Sequence, residues 1–250
     1  MISIIIPSYD SPKNKTLRER LKRDIKKITA PDVEYEIIEI IDKNGYAQAV
    51  NKGIRKAKPE NDIAIVSDDV ELNDPIWLNK FVSTINLYKD QKVGIVSAGL
   101  LRKKTFITKE DFEINLILTT IGFAVIRRDM INEIGYLDET FKYGAEEIDW
   151  IIRAAKRGWK VTNASIFHRH PYAKTMKNIK GIRDEFNKSH RYLLKKHNFK
   201  DDDWNYNDID IEAPIYEQYT NTFTAQDIFK DINDLGLEIA KRKYLGDLDE

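Results

Sequence analysis

Apolar residues recur along this chain in two periods. Residues 2–6 form a run rich in isoleucine, closed by Pro7, as in a strand buried on both faces. Residues 14–29 are heavily charged, yet Leu17, Leu21, Ile25 and Ile28 fall on one helical face. Residues 35–41 read as a second strand. Residues 46–57 read as a short helix with Ala47, Val50, Ile54 and Ala57 inward. Ile63 to Val66 predict a third strand, ending in Ser67-Asp68-Asp69-Val70. A helix over 75–89 opens on Pro75, which suits a first turn, and Val93 to Ser97 predict a fourth strand.

That alternation predicts an α/β fold, a mostly parallel, Rossmann-like sheet flanked by helices. Ligands of such sheets sit outside the carboxyl ends of the strands, here just after residues 6, 41, 66 and 97. The second half is less regular. Residues 100–120 suggest a loop or hairpin, 122–126 a strand, 127–134 a helix ended by Gly135, and 146–157 a helix capped by Gly158. Trp159 to Phe167 predict a strand. Residues 175–197 predict a long basic helix with Met176, Ile179, Phe186 and Leu193 as its stripe. The remainder reads as loop to about 223, then helix over 225–244.

Charge adds a division that hydropathy does not show. The 41 basic and 41 acidic residues cancel over 250 positions, but residues 201–250 hold 14 acids and 4 bases. That segment is net −10, and residues 1–200 are net +10. The chain therefore reads as a basic unit, 1–200, and an acidic extension, 201–250, which would pack on the first unit or mediate self-association. With no cysteine, disulfide scaffolds, thiol nucleophiles and cysteine-ligated metals are excluded. No apolar run approaches the roughly 20 residues of a membrane span. The apolar N-terminus lacks a signal peptide's basic region and cleavage site, so a cytoplasmic location is expected.

Three groups carry candidate chemistry. Asp68-Asp69 ends an apolar strand on the ligand edge, where adjacent carboxylates repel and lose water. A hard divalent ion would relieve them, sharing its other positions with phosphates; a solvated turn accounts for the pair equally well. Glu146-Glu147-Ile148-Asp149 opens a helix, where the dipole favours acids. With Ile148, Ile151, Ile152 and Ala155 inward, Glu147 is left on another face, free to act as a general base. His168 and His170 lie two apart, on one face of an extended strand end; such histidines are structural or, beside carboxylates, metal ligands. Arg127, Arg128 and Arg169 are candidate phosphate contacts from charge alone. P-loop, G-x-G-x-x-G, H-E-x-x-H and G-x-S-x-G patterns are absent.

Taken in order, the residues resemble a family 2 glycosyltransferase of the GT-A fold. Ile2-Ser3-Ile4-Ile5-Ile6-Pro7-Ser8-Tyr9 is similar to its first strand and nucleotide loop. Gly45-Tyr46-Ala47 with Asn51-Lys52-Gly53-Ile54 is similar to its G-[FY]-[AS]…N-x-G-I helix, and Ser67-Asp68-Asp69-Val70 stands at its D-x-D-type motif. Phe123 to Arg128 and Ile134 to Glu139 resemble the stretch before its acid pair. Gly144-Ala145-Glu146-Glu147-Ile148-Asp149, with Arg153 and Gly158-Trp159, resembles G-E-D-x-D…R…G-W. The pair is Glu-Glu here where the family has Glu-Asp, and the Ser-Asp-Asp form resembles rhamnosyl- and galactofuranosyl-type members. The likeness covers about residues 1–200.

The resemblance implies an inverting, metal-dependent transfer of a sugar from a nucleoside-diphosphate sugar, UDP foremost, to an acceptor hydroxyl of a glycan or lipid-linked glycan, as in polysaccharide biosynthesis. It implies donor binding by Pro7, Ser8, Tyr9, Asp42, Asn51 and Asp68, with Pro7, Tyr9 and Asp42 framing the base. It implies Mn2+ or Mg2+ at Asp69 with His168, which stands where some members carry a late metal-binding histidine, His170 being the further candidate, and Glu147 as base beside Glu146. A sugar nucleotidyltransferase and an inactive nucleotide-sugar-binding module are the alternatives. The nucleotidyltransferase needs a Gly-rich basic loop, which Ser8-Tyr9-Asp10-Ser11-Pro12 is not. The basic helix over 175–197 suits either a solvated surface or a peripheral contact with an anionic membrane.

Overall fold

The computed structural model describes residues 1–99, 101–170 and 181–200, excluding the side chains of Arg102 and Lys103. The expected helix over 225–244, the rest of the acidic extension, and Met176 and Ile179 lie outside the described residues.

β1 (Ile2–Tyr9) pairs in parallel with β2 (Tyr35–Asp42) and β3 (Asp62–Val66). β5 (Val93–Ser97) pairs in parallel with β9 (Lys160–Asn163). β8 (Phe123–Ile126) runs antiparallel between β3 and β5, giving a six-stranded sheet of order β2-β1-β3-β8-β5-β9. The fold is thus mixed α/β with a mostly parallel sheet flanked by helices. The interposed β8 departs from the simple alternation read in the sequence. Its residues 123–126 are all buried and apolar, and such a run fits a central strand of either direction.

The strands alternate their side chains between two cores. Ile5, Ile63, Ile65, Ile95, Ala124 and Ile126 face one; Ile4, Ile6, Ala64, Val66, Val96 and Val125 face the other. α1 (Pro12–Ile28) and α3 (Trp77–Leu87) cover the second face with Leu21, Ile25, Trp77, Leu78, Phe81 and Ile85. α2 (Tyr46–Lys56), α4 (Arg128–Ile134), α5 (Glu146–Ala155) and α6 (Ile182–His197) cover the first. The 100–120 region contains a hairpin, β6 (Arg102–Ile107) and β7 (Glu113–Leu118), whose Phe106 stacks on Phe199 at 4.6 Å.

The strand expected over 159–167 is shorter. β9 stops at Asn163, and the chain leaves the sheet before β10 (His168–Arg169) pairs with β4 (Glu71–Leu72). Among the described residues no helix is long and apolar enough to cross a membrane. On α6 the buried positions are Ile182, Ser189, His190, Leu193, Leu194 and His197, while Arg183, Lys188, Arg191 and Lys195 are exposed.

Candidate active site

The carboxyl ends of β1, β2, β3 and β5 share one edge of the sheet, and the antiparallel β8 begins there: Val66 is level with Phe123, and Ser97 with Ala124. Ser67 N donates to Gly122 O at 2.7 Å, and Val70 N donates to Ser67 O at 3.0 Å, so residues 67–70 form a turn clamped to the 119–122 segment. That turn carries Asp68 and Asp69, both buried.

Asp68 points toward β1 and α1. Its Oδ2 accepts from Ser8 Oγ at 2.5 Å and from Asn14 Nδ2 at 2.8 Å. Burial raises its proton affinity, assisted by the Asp69 charge and opposed by those two donors and Arg18. Asp69 turns the other way, and its Oδ1 lies 3.1 Å from His170 Nε2. A carboxylate only accepts, so Nε2 carries the proton in this contact. Arg20 of α1 props the turn from behind, donating to Val70 O at 3.1 Å and to Glu71 at 2.9 Å.

His168 and His170 have separate roles. His170 meets Asp69. His168 is buried edge-on against Phe123, and its Nδ1 donates to Ile166 O at 3.0 Å, leaving Nε2 with its lone pair. Burial, with the nearby His170, pulls its pKa down to about 4.

Among the described residues no three His, Asp or Glu side chains form a group able to hold a metal ion by themselves, so Asp69, His168 and His170 are not a preformed cage. Asp69 and His170 nevertheless bring a carboxylate oxygen and an imidazole nitrogen together, and an ion between them would take the place of the Nε2 proton. Two protein ligands suffice where substrate phosphates and water complete the shell, so these residues fit a shared ion.

The acid pair enters the same edge. Gly144 (φ +78°) and Ala145 (φ +68°) turn the chain into α5 through two left-handed residues, the second costing about 1–2 kcal/mol for a non-glycine. Glu146 is 5% exposed and its Oε2 has no partner among the described residues. Glu147 is half-buried, with the Ile121 amide donating to it. Burial holds both carboxyls well above the ordinary range, and the Glu146 charge adds to the rise at Glu147.

At the β1–β2 end, Tyr9 is in register with Asp42, and Pro7 is buried in the strand behind them. Asp42 accepts from Asn44 N at 2.7 Å and Lys52 Nζ at 2.5 Å. Burial would raise its pKa, but these donors outweigh it and hold the carboxyl low.

Asn51 is not brought to this group. Its Nδ2 donates to Leu137 O (2.8 Å) and Glu139 (2.9 Å), and its Oδ1 accepts from Leu137 N (3.0 Å), so it ties α2 to the loop before α5. Arg127 and Arg128 require correction as phosphate contacts. β8 is antiparallel, so its end lies on the opposite edge, with Ile126 level with Ile63. There Arg127 is bound to Val93 O and Ile85 O, and Arg128 to Asn61 O and Lys58 O. Arg169 pairs with Glu71 at 3.6 Å.

Several contributors were not read from the sequence. Asn14 and Arg20 hold the aspartate turn across 54 and 51 residues, a separation no local pattern reveals. Gly122 is needed for close approach: a Cβ there would lie 2.9 Å from Ser67 Oγ and 3.1 Å from His170 Cε1. Asp149, at zero exposure, accepts from Arg153 Nε (2.9 Å), Lys196 Nζ (2.7 Å) and His197 Nε2 (2.9 Å), fastening α5 to α6. Asp149 and Arg153 stood in the G-E-D-x-D…R likeness, but the Lys196 and His197 partners, 47 and 48 residues on, were not legible beforehand.

No family profile and no curated protein matches the chain. Solved structures similar to it include GalNAc-T7 with UDP, GalNAc and Mn2+, at 14% identity and TM-score 0.43 over 84% of this chain and 56% of that one. Another is UDP-glucose pyrophosphorylase from Acinetobacter baumanii, at 11% identity and TM-score 0.33 over 74% and 68%. The chain thus spans little more than half the length of the GalNAc-T7 chain.

Proposed function

We propose that the protein is an inverting glycosyltransferase, moving a sugar from a nucleoside-diphosphate sugar to an acceptor hydroxyl. The observation that carries this reading is one sheet edge holding both an Asp69–His170 contact and an acid pair of raised proton affinity. Tyr9, Asp42 and Asp68 would receive the nucleoside, and UDP is the nucleotide we favour. Asp69 and His170 would hold Mn2+ or Mg2+, which when bound supplies charge neutralisation at the leaving diphosphate.

Glu147 takes the proton of the acceptor hydroxyl, and that oxygen attacks the anomeric carbon from the face opposite the diphosphate. The new C–O bond forms as the bond to the diphosphate breaks, and the nucleoside diphosphate leaves with the electron pair. A carboxylate whose pKa is raised toward neutrality holds the abstracted proton better than an ordinary one. We assign residues 1–200 to this transferase unit and 201–250 to an appended extension. The acceptor is a glycan or lipid-linked glycan.

Nucleoside-diphosphate release from a donor panel tests the reading, with Mn2+ and with a chelator. Release from at least one donor, lost in Glu147→Gln and Asp69→Ala, is expected. Donor binding without any release would make the protein a binding module. Pyrophosphate-dependent formation of a nucleoside triphosphate would make it a nucleotidyltransferase.

A further inference from the structure

Among the buried polar atoms without a hydrogen-bond partner in the described residues, Tyr46 Oη and Glu146 Oε2 both belong to the candidate site beside the acid pair. Buried polar groups are ordinarily paired, because leaving one unpaired forfeits its hydration. Their presence at one site is a standing cost that a ligand can remove.

The backbone fixes the approach of Tyr46. Gly45 enters α2 at φ +137°, where a Cβ would come within 2.8 Å of Lys142 O, and Tyr46 N donates to the same carbonyl at 3.3 Å. The phenol itself lies within electrostatic reach of both the aspartate turn and the acid pair. Ser67 lies beside it out of hydrogen-bonding geometry, and the charges of Glu147, Glu146 and Asp69 act on it.

The surroundings select the chemistry of the missing partner. Three carboxylates repel a phosphate that no metal ion neutralises. Burial and those same carboxylates keep the phenol protonated, hence a donor, which does nothing for a cation. A neutral hydroxyl both accepts and donates, and two hydroxyls of one saccharide satisfy both atoms.

We propose that Tyr46 Oη and Glu146 Oε2 form a hydroxyl-binding subsite for the acceptor saccharide, the phenol donating to one hydroxyl and the carboxylate oxygen accepting from another. The assignment to the acceptor rests on the reading of Glu147 as the base, beside which both atoms lie.

Tyr46→Phe is the test, because it deletes one unpaired atom and keeps the ring. Acceptor binding is read with methyl galactoside and methyl glucoside, titrated in the presence of UDP. Nucleoside-diphosphate release without acceptor and Tm are read in parallel. The better methyl glycoside should bind roughly three- to ten-fold more weakly, as for loss of one neutral hydrogen bond. Tm should not fall. Unchanged glycoside binding, or a fall in Tm with donor and acceptor weakened alike, overturns the subsite. Hydrolysis retained beside unchanged glycoside binding sinks the subsite alone. A wild-type protein that neither hydrolyses donor nor binds a glycoside sinks the transferase reading as well.

Discussion

Replacing Asp149 by alanine should destabilise the fold without touching the sheet edge directly. Asp149 has no exposure, and its two oxygens serve three cationic side chains. Breaking a buried ion pair by deleting one partner costs about 3–5 kcal/mol, because charge is left uncompensated. The structure places the cost at the low end. Arg153 keeps Ile134 O at 2.6 Å and Tyr136 O at 2.8 Å, and Lys196 keeps Asp138 at 2.7 Å. His197, 4% exposed at its side chain, loses the most, retaining the Lys156 contact at 3.3 Å and its stack on Phe199 at 5.7 Å.

About 3 kcal/mol at about 2–4 °C per kcal/mol for a domain of this size predicts a fall in Tm of about 6–12 °C. Burial opposes ionisation of Asp149, but His197, Lys196 and Arg153 outweigh it and hold the pKa below the ordinary value. A depressed carboxylate contributes stability that is complete above the unfolded pKa of about 3.9 and is lost as pH falls through the folded one. The gap in Tm between wild type and Asp149→Ala should therefore be wide at pH 6 and narrow below pH 4. Calorimetry at both pH values measures it. A gap under 2 °C at pH 6, or one that widens in acid, would refute the account.

Glu147→Gln should cut turnover by about 10²–10⁴-fold, the usual contribution of a general base, with donor affinity retained; wild-type turnover would remove Glu147 from that role. Because both acids have raised pKa values, the base form appears only as pH rises, so activity should climb above the ~4.3 of a free glutamate. A flat rate between pH 5 and 8 would contradict this. The same rise means that ionising Glu146 opposes folding, so Glu146→Gln should raise Tm at pH 8 and leave it unchanged at pH 4. Gly122→Ala should displace His170 from Asp69 at a stability cost of about 1–3 kcal/mol, and weakened Mn2+ binding by titration is the readout; unaltered binding would show the contact to be dispensable. On α6 Ile182, Leu193 and Leu194 are buried and Arg183, Lys188, Arg191 and Lys195 exposed, so a solvated helix should leave the protein out of the pellet with anionic vesicles; salt-sensitive co-sedimentation would refute that reading.

The elements differ in how legible they were beforehand. β1, β2, α2, β3 and β5 are written in local periodicity, because a strand buried on both faces must be apolar throughout and a covering helix must repeat every three to four residues. The rule that ligands lie beyond the carboxyl ends of parallel strands then pointed to residues 67–69 without any contact being known. The direction of β8 was not legible, since four buried apolar residues read alike from either end. That one reversal carries Arg127 and Arg128 to the far edge, where they bind backbone carbonyls.

The sequence by itself therefore determined the α/β layering, the edge of the sheet where polar groups collect, and the residue types at Asp68, Asp69, Glu146, Glu147, His168 and His170. Only the tertiary structure decided their division of labour: Asp68 bonded to Ser8 and Asn14, Asp69 set against His170, His168 anchored on Ile166, and Asn51 committed to Leu137. It also brought Tyr46 among the acids and Asp149 among three cations. The reason is one of range. Periodicity is set by neighbours within a turn or a pleat, whereas the partner of a buried polar atom is fixed by whichever distant segment the packing delivers.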